Sequence, residues 1–229
     1  MREDMRLPFQ DRVAAGRALG ARLAGLGLVD PVVLALPRGG VPVGLEVAKA
    51  LHAPLDLLLV RKIGVPWQPE LAVGAVMDGG APVIVVEPRV QAETGVDREY
   101  IEQRAAQELK EIERRRALYL AHRAPEPVAG RTAIVVDDGI ATGTTVRAAL
   151  RGLRQRKPAR LVLAVPVAPP ETVDALRAEV DDVVCLAQPV PFGAIGYFYL
   201  DFHQLTDDEV IELMRQASGI AVEERPAER

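Results

Sequence analysis

Asp137 and Asp138 stand side by side where the aliphatic run Ile134-Val135-Val136 ends, and a turn of small residues follows: Gly139-Ile140-Ala141-Thr142-Gly143-Thr144-Thr145. Two adjacent carboxylates suit a ribose diol, or a cation bound to one. The turn runs into a helical pattern. The first turn of a helix carries unpaired N–H donors and the positive end of the dipole, which together hold a phosphate. A phosphate cradle beside a diol-binding pair is the chemistry of a ribose 5-phosphate site. The alternative is a strand-to-helix turn in some other α/β protein, but a buried strand ending in two unpaired acids is costly without a ligand or partner. A P-loop is excluded, because it needs Gly-Lys-Ser/Thr at the helix start and this turn has no lysine.

Two further turns could receive anions. Val32–Leu36 is an aliphatic run that leads into Pro37-Arg38-Gly39-Gly40, with helical spacing from Leu45 to Leu51. The glycines there either permit positive φ in a plain turn or open the backbone to an anion beside Arg38. Leu55–Val60 is a second run, read as one strand ending in Arg61-Lys62. Those cations either snorkel to solvent at the sheet edge or meet an anionic ligand, since isolated buried charge is unfavourable. Lys62 stands out in a chain whose other lysines are only Lys49, Lys110 and Lys157.

The elements that must position these residues alternate. Arg12–Ala24 has helical spacing and stops at Gly25. Gly64 to Glu70 reads as a loop by its glycine and prolines, and it holds Trp67, which either closes over a ligand or anchors the loop. Leu71–Met77 and Pro82–Val86 form a hairpin through Asp78-Gly79-Gly80-Ala81. Asp97–Leu120 is a long helix whose Arg114-Arg115-Arg116 run reads as a solvated face. Val146–Leu153 and Thr172–Ala178 are helices, and Leu161–Val167 and Val183–Leu186 are strands. Strands alternating with helices imply a parallel, twisted sheet flanked by helices, with ligands beyond the carboxyl ends of its strands. All three anion turns fall at such ends. From Gln188 to Gln204 the pattern changes: Tyr197, Phe198, Tyr199 and Phe202 crowd into a few residues of an aromatic-poor chain. Thr206 with Glu209 makes a capping box for a last helix through Met214.

With 229 residues, nearly half of them apolar and a quarter charged, the chain is expected to form a single globular domain. Its core is expected over 28–187, a small hood from 1–27 and 188–216, and a disordered tail over 217–229. The formal charge of −4 argues against a general role on DNA or a membrane surface. A lone Cys185 excludes a disulfide framework and fits a cytoplasmic chain, as do the absence of an apolar signal core and of any run of spanning length. His52, His122 and His203 are scattered, so neither a zinc cluster nor a Ser-His-Asp arrangement can be read from spacing.

The motif of two acids, three residues and Thr-Gly-x-Thr resembles the donor-binding motif of type I phosphoribosyltransferases, and Asp137, Asp138, Thr142, Gly143 and Thr145 fill every required position. Arg38-Gly39-Gly40 resembles that family's pyrophosphate-cupping loop, and Arg61-Lys62 a pair that contacts phosphates in several purine enzymes. Ile195-Gly196-Tyr197 and Asp201 are similar to the base-binding hood of those enzymes, although the spacing from Tyr197 to Asp201 is one residue longer. The likeness covers roughly residues 28–205 and is sharpest for a bacterial group with Pro-Arg-Gly-Gly, Arg-Lys-Ile-Gly and Asp-Asp-Gly-Ile-Ala-Thr-Gly.

What the resemblance implies is Mg²⁺-dependent transfer of ribose-5-phosphate from phosphoribosyl pyrophosphate to a nitrogenous base or related acceptor, releasing pyrophosphate. In that scheme Arg38, Lys62, Asp137 and Asp138 act in catalysis. The donor is bound by Arg38, Gly39, Gly40, Arg61, Lys62 and the whole 137–145 stretch, including Gly139, Ile140, Ala141 and Thr144. Phe192, Ile195 and Tyr197 take the acceptor, and Asp137, Asp138 and Asp201 approach Mg²⁺ mostly through ligand and water. Packing of a small hood explains the aromatics equally well. A homodimer is compatible. Two other classes remain: a non-catalytic sensor of phosphoribosyl pyrophosphate, and an enzyme that makes this donor or hydrolyses nucleotides, which the missing Gly-Lys-Ser/Thr loop and the lack of tandem domains disfavour.

Overall fold

The computed structural model describes residues 7–78, 82–121 and 123–220. Helix α1 (Arg12–Ala24) starts at Asp11, whose carboxylate caps the Ala14 N–H, and is followed by strand β1 (Pro31–Ala35), helix α2 (Gly40–Leu51) and strand β2 (Leu55–Leu57). An antiparallel ribbon comes next, made of β3 (Val60–Val65), β4 (Gln68–Met77) and β5 (Val83–Val86). Helices α3 (Pro88–Thr94) and α4 (Arg98–Leu120) lead back to β6 (Thr132–Val136). The chain then forms α5 (Thr144–Gln155), β7 (Arg160–Val167), α6 (Pro170–Leu176), β8 (Asp182–Ala187) and α7 (Asp207–Ala217).

Strands β2-β1-β6-β7-β8 form one parallel sheet. Its inner strands β1, β6 and β7 are buried on both faces. Val33, Ala35, Ile134 and Val136 face a core shared with α1, α2 and α7, while Val32, Leu34, Ala133 and Val135 face one shared with α5. That explains why β1, β6 and β7 are continuous aliphatic runs with no polar alternation. Each such Val or Leu contributes about 1.5–3 kcal/mol on leaving water.

The strand order also fixes where a ligand can bind. From β1 the chain crosses to β2 on one side, and it later returns to β6 on the other side of β1. The crossovers therefore diverge between β1 and β6, opening a crevice beyond their carboxyl ends.

Several expectations change. Leu55–Val60 is not one strand: after Leu58 donates its N–H to Ala35 the chain leaves the parallel sheet, and Arg61 and Lys62 lie near the start of the ribbon. The 64–70 loop is a hairpin with only Pro66 and Trp67 at its tip, and Gly64 is needed because a Cβ there would lie 2.4 Å from the Pro69 carbonyl oxygen. The β4–β5 hairpin forms as read, with its 79–81 connection outside the described residues. Arg114 and Arg115 do pair with Glu111 on the outer face, but Arg116 turns inward and joins the buried Asp56 (3.0 Å) to Asp78 (2.9 Å).

Helix α1 lies against α2, with Gly16 and Gly20 at the contact, and Phe9 and Gln10 before it pair with the 198–201 segment through the backbone. The Thr206–Glu209 capping box is present. Helix α7 runs through a buried Ala217, inside the expected tail, and 221–229 lie outside the described residues. Among the described residues no helix is long and apolar enough to cross a membrane.

Candidate active site

The acid pair follows β6 directly and the glycine turn follows β1, its neighbour, so both enter the same crevice. They touch. A Cβ at Gly39 would lie 2.1 Å from Asp138 Oδ2, and one at Gly40 would lie 2.7 Å from the Val136 carbonyl oxygen and 3.0 Å from Asp137 Cα. Only residues without side chains allow this approach. The Pro37–Arg38 peptide is cis. The Gly40 N–H is bonded to the Leu36 carbonyl (3.0 Å) and is not available to a ligand, which corrects its expected role as a donor. Its contribution is closeness. Arg38 extends, half exposed, toward Asp207 at 3.6 Å, the first residue of α7, and Asp207 also accepts from the Tyr119 hydroxyl (2.6 Å).

The acids themselves are held. Asp137 Oδ1 accepts the Asp138 N–H at 2.9 Å, and Asp138 Oδ2 accepts from Arg12 Nε at 2.8 Å. Arg12 is buried, donates also to the His203 carbonyl (2.9 Å), and lies 3.9 Å over the Phe202 ring. Burial pushes both carboxyls above the ordinary carboxylate range, Asp137 further because the Asp138 charge adds to the effect, while Arg12 pulls Asp138 back down. The Tyr199 hydroxyl donates to the Asp138 carbonyl, and burial raises that phenol's pKa.

The turn read as a phosphate cradle leads into α5. Gly143, at φ +73°, turns the chain into α5, and among the described residues no side chain caps that helix, so its first-turn N–H groups lack a side-chain partner there. Ala141, Thr142 and Thr144 are exposed, and Thr172 supports the turn by donating to the Ala141 carbonyl at 2.7 Å. Gly139 and Ile140 sit deeper: Ile140 N–H reaches the Val167 carbonyl (3.0 Å), and Gly139 faces Ile195 and Val167.

The ribbon brings Lys62 to this cradle, where it shares a small cavity with Thr144 and Ala148 of α5. Arg61 points the other way, because neighbouring strand residues face opposite sides. It binds Glu108 of α4 at 2.8 Å, so it is not brought to the crevice.

In the hood, Ile195 reaches the motif, Phe192 packs on Phe198 with ring centroids 5.0 Å apart, and Tyr197 is 77% exposed. Tyr199, not Tyr197, is the aromatic that touches the acid motif. Asp201 accepts from the His203 ring at 3.0 Å and lines a separate cleft of about 470 Å³ with Arg12, Leu205 and Glu209. Among the described residues no three of His, Cys, Asp and Glu gather into a direct metal-ligand cluster.

Sequence reading missed Arg12 and Tyr199. Arg12 had a signal: it begins the stripe Arg12, Ala15, Gly16, Leu19, Leu23, all buried, so a charge sits at the head of an apolar face.

The sequence pattern described as "Phosphoribosyl transferase domain" matches residues 13–201. Two Mycobacterium tuberculosis proteins, each named "Putative phosphoribosyl transferase" (strains CDC 1551 / Oshkosh and H37Rv), are 46% identical over 209 residues. That alignment takes in 91% of this chain but 47% of each relative, so the chain spans about half the length of these proteins. The crystal structure of TT1426 from Thermus thermophilus is similar at a TM-score of 0.83 and 44% identity, over 94% of this chain and all of that one. The acid pair and glycine turn thus lie within a stretch matched almost end to end, and this chain belongs to the phosphoribosyl transferase family.

Proposed function

We propose that this protein transfers ribose-5-phosphate from phosphoribosyl pyrophosphate to a nitrogen nucleophile and releases pyrophosphate. The observation that carries this reading is the meeting of the Arg38-Gly39-Gly40 turn with Asp137-Asp138 at the divergence point between β1 and β6. A simple nucleotide site needs one anion cradle. Here a second anion-receiving turn lies against the acid pair, which suits a donor with phosphate at one end of its ribose and diphosphate at the other.

In this scheme the first turn of α5 with Thr142, Thr144 and Thr145 holds the 5-phosphate. Asp137 and Asp138 accept the ribose hydroxyls. Arg38 and the Gly39 N–H receive the diphosphate, and Lys62 adds positive charge from the ribbon. The reaction passes through an oxocarbenium-like state while negative charge grows on the leaving diphosphate, so positioning and charge stabilisation supply the catalysis and no covalent enzyme intermediate is needed.

The donor set fits Mg²⁺ as a companion of the substrate. Asp137 Oδ2 and Asp138 Oδ1 take no bond from a described residue, and two such oxygens suit a hard cation whose other ligands are phosphates and water. When bound, Mg²⁺ would neutralise charge on the diphosphate.

Pyrophosphate release, measured with a panel of purine and pyrimidine bases and simple amines, tests the reading. Release with one acceptor supports it and identifies the acceptor. Tight donor binding without turnover for any acceptor favours a sensor, and no donor binding defeats the reading.

A further inference from the structure

The two acids of the motif differ in how they are held. Asp137 is fixed from within its own turn, by the next residue's N–H. Asp138 is fixed from far away, by Arg12 on α1. A carboxylate turns freely about its last torsion unless one oxygen is anchored. With Oδ2 on Arg12 Nε and Gly39 packed closest to that same oxygen, Oδ1 is the Asp138 oxygen that takes no bond from a described residue. Asp137, with Oδ1 bonded, is left with Oδ2. Each of the two adjacent acids thus keeps one oxygen that no described residue bonds, and two such acceptors suit a vicinal diol.

We infer that Arg12 is a positioning residue for the ribose diol: it selects and aims the oxygen that Asp138 presents to the sugar. The inference rests on the proposed donor site and adds to it the group that makes the acid pair selective for a diol. Arg12 is suited to this by its fork and plane. Nε holds Asp138, Nη1 holds the His203 carbonyl, and the flat face stacks on Phe202, so three contacts set one orientation. A lysine could reach Asp138 but could not make all three contacts from one group.

The test compares ribose 5-phosphate with 2-deoxyribose 5-phosphate by calorimetry, for wild type, Arg12→Gln and Arg12→Lys, with inorganic phosphate as a check on the cradle. Wild type is expected to prefer the ribose sugar. In Arg12→Gln that preference falls about tenfold, the scale of one hydrogen bond to a charged group, while phosphate affinity stays as in wild type. Arg12→Lys regains part of the preference. A purely structural role would weaken all three ligands together, and that result overturns the inference, as does a preference unchanged in Arg12→Gln. Wild type that binds neither sugar phosphate overturns the donor-site reading itself, which separates the two failures.

Discussion

Asp138 is gripped on its side chain by Arg12, on its carbonyl by Tyr199, and across a glycine contact by the β1 turn. Replacing its carboxylate with an amide keeps the shape and an acceptor for Arg12 but removes the charge. Asp138→Asn is therefore expected to fold normally and to bind magnesium phosphoribosyl pyrophosphate more weakly by about tenfold or more. Unchanged affinity by calorimetry would count against the donor site. His203 offers a different residue-scale prediction. Its two ring nitrogens face Asp201 and Glu209, both at 3.0 Å, and satisfying both needs two N–H donors, hence the imidazolium. Its pKa is accordingly raised above 6.5 by hydrogen bonding to Asp201 first and Glu209 second. A raised folded value means that the contribution to stability is complete below about pH 6.5 and is lost as pH rises through the folded pKa. An NMR titration of the ring protons should give a midpoint above 6.5 in wild type that moves down in Asp201→Asn. A wild-type midpoint at or below 6.5 would remove this link between the 201–203 segment and α7.

At the scale of elements, the sequence was most informative where one strand or helix decides its own environment. The runs in β1, β6 and β7 are aliphatic because both faces are covered, and the 206–209 box caps α7 with local bonds alone. It was least informative where a side chain answers to a distant element. Arg116 sits in a run of three arginines; its place on the buried stripe of α4, four residues after Ile112 and three before Tyr119, sets it apart from the two on the outer face, but the partners it meets there cannot be read from its own helix. Its partners Asp56 and Asp78 come from β2 and the end of β4, so Arg116 joins α4 to both sheets. Arg116→Ala takes the nearest cation from two buried carboxylates and is expected to cost about 3–5 kcal/mol. A urea-denaturation midpoint close to that of wild type would refute this. The ribbon was likewise hidden, because Leu58 and Leu59 are as apolar as a continuing strand yet carry the chain from one sheet to the other. Trp67, 67% exposed at its tip, does not anchor the ribbon to the core. If the ribbon closes over the bound donor through Lys62, Trp67 emission should change when phosphoribosyl pyrophosphate is added to wild type. An unchanged spectrum at saturating donor would rule out that movement and leave the crevice intact.

For the molecule as a whole, the architecture was readable because alternation of strands and helices restricts topology. The crevice was readable because two of its turns, 37–40 and 137–145, follow neighbouring parallel strands, whereas Arg61-Lys62, expected at a third strand end, lie near the start of the ribbon. What no local pattern could supply is the closure of the crevice by the hood. Phe9 bridges to Tyr199, and Arg12 reaches Asp138 across 126 positions of sequence and the His203 carbonyl across 191. This last separation has a consequence for biosynthesis. At about 5–20 residues per second, roughly 10–40 s pass between the addition of Arg12 and that of His203. Late in that interval both acids are already part of the nascent chain, but the arginine that orients one of them lacks its second anchor. Chains stopped short of residue 203 should therefore lack the second anchor of Arg12 and hold Asp138 less firmly than the finished fold does.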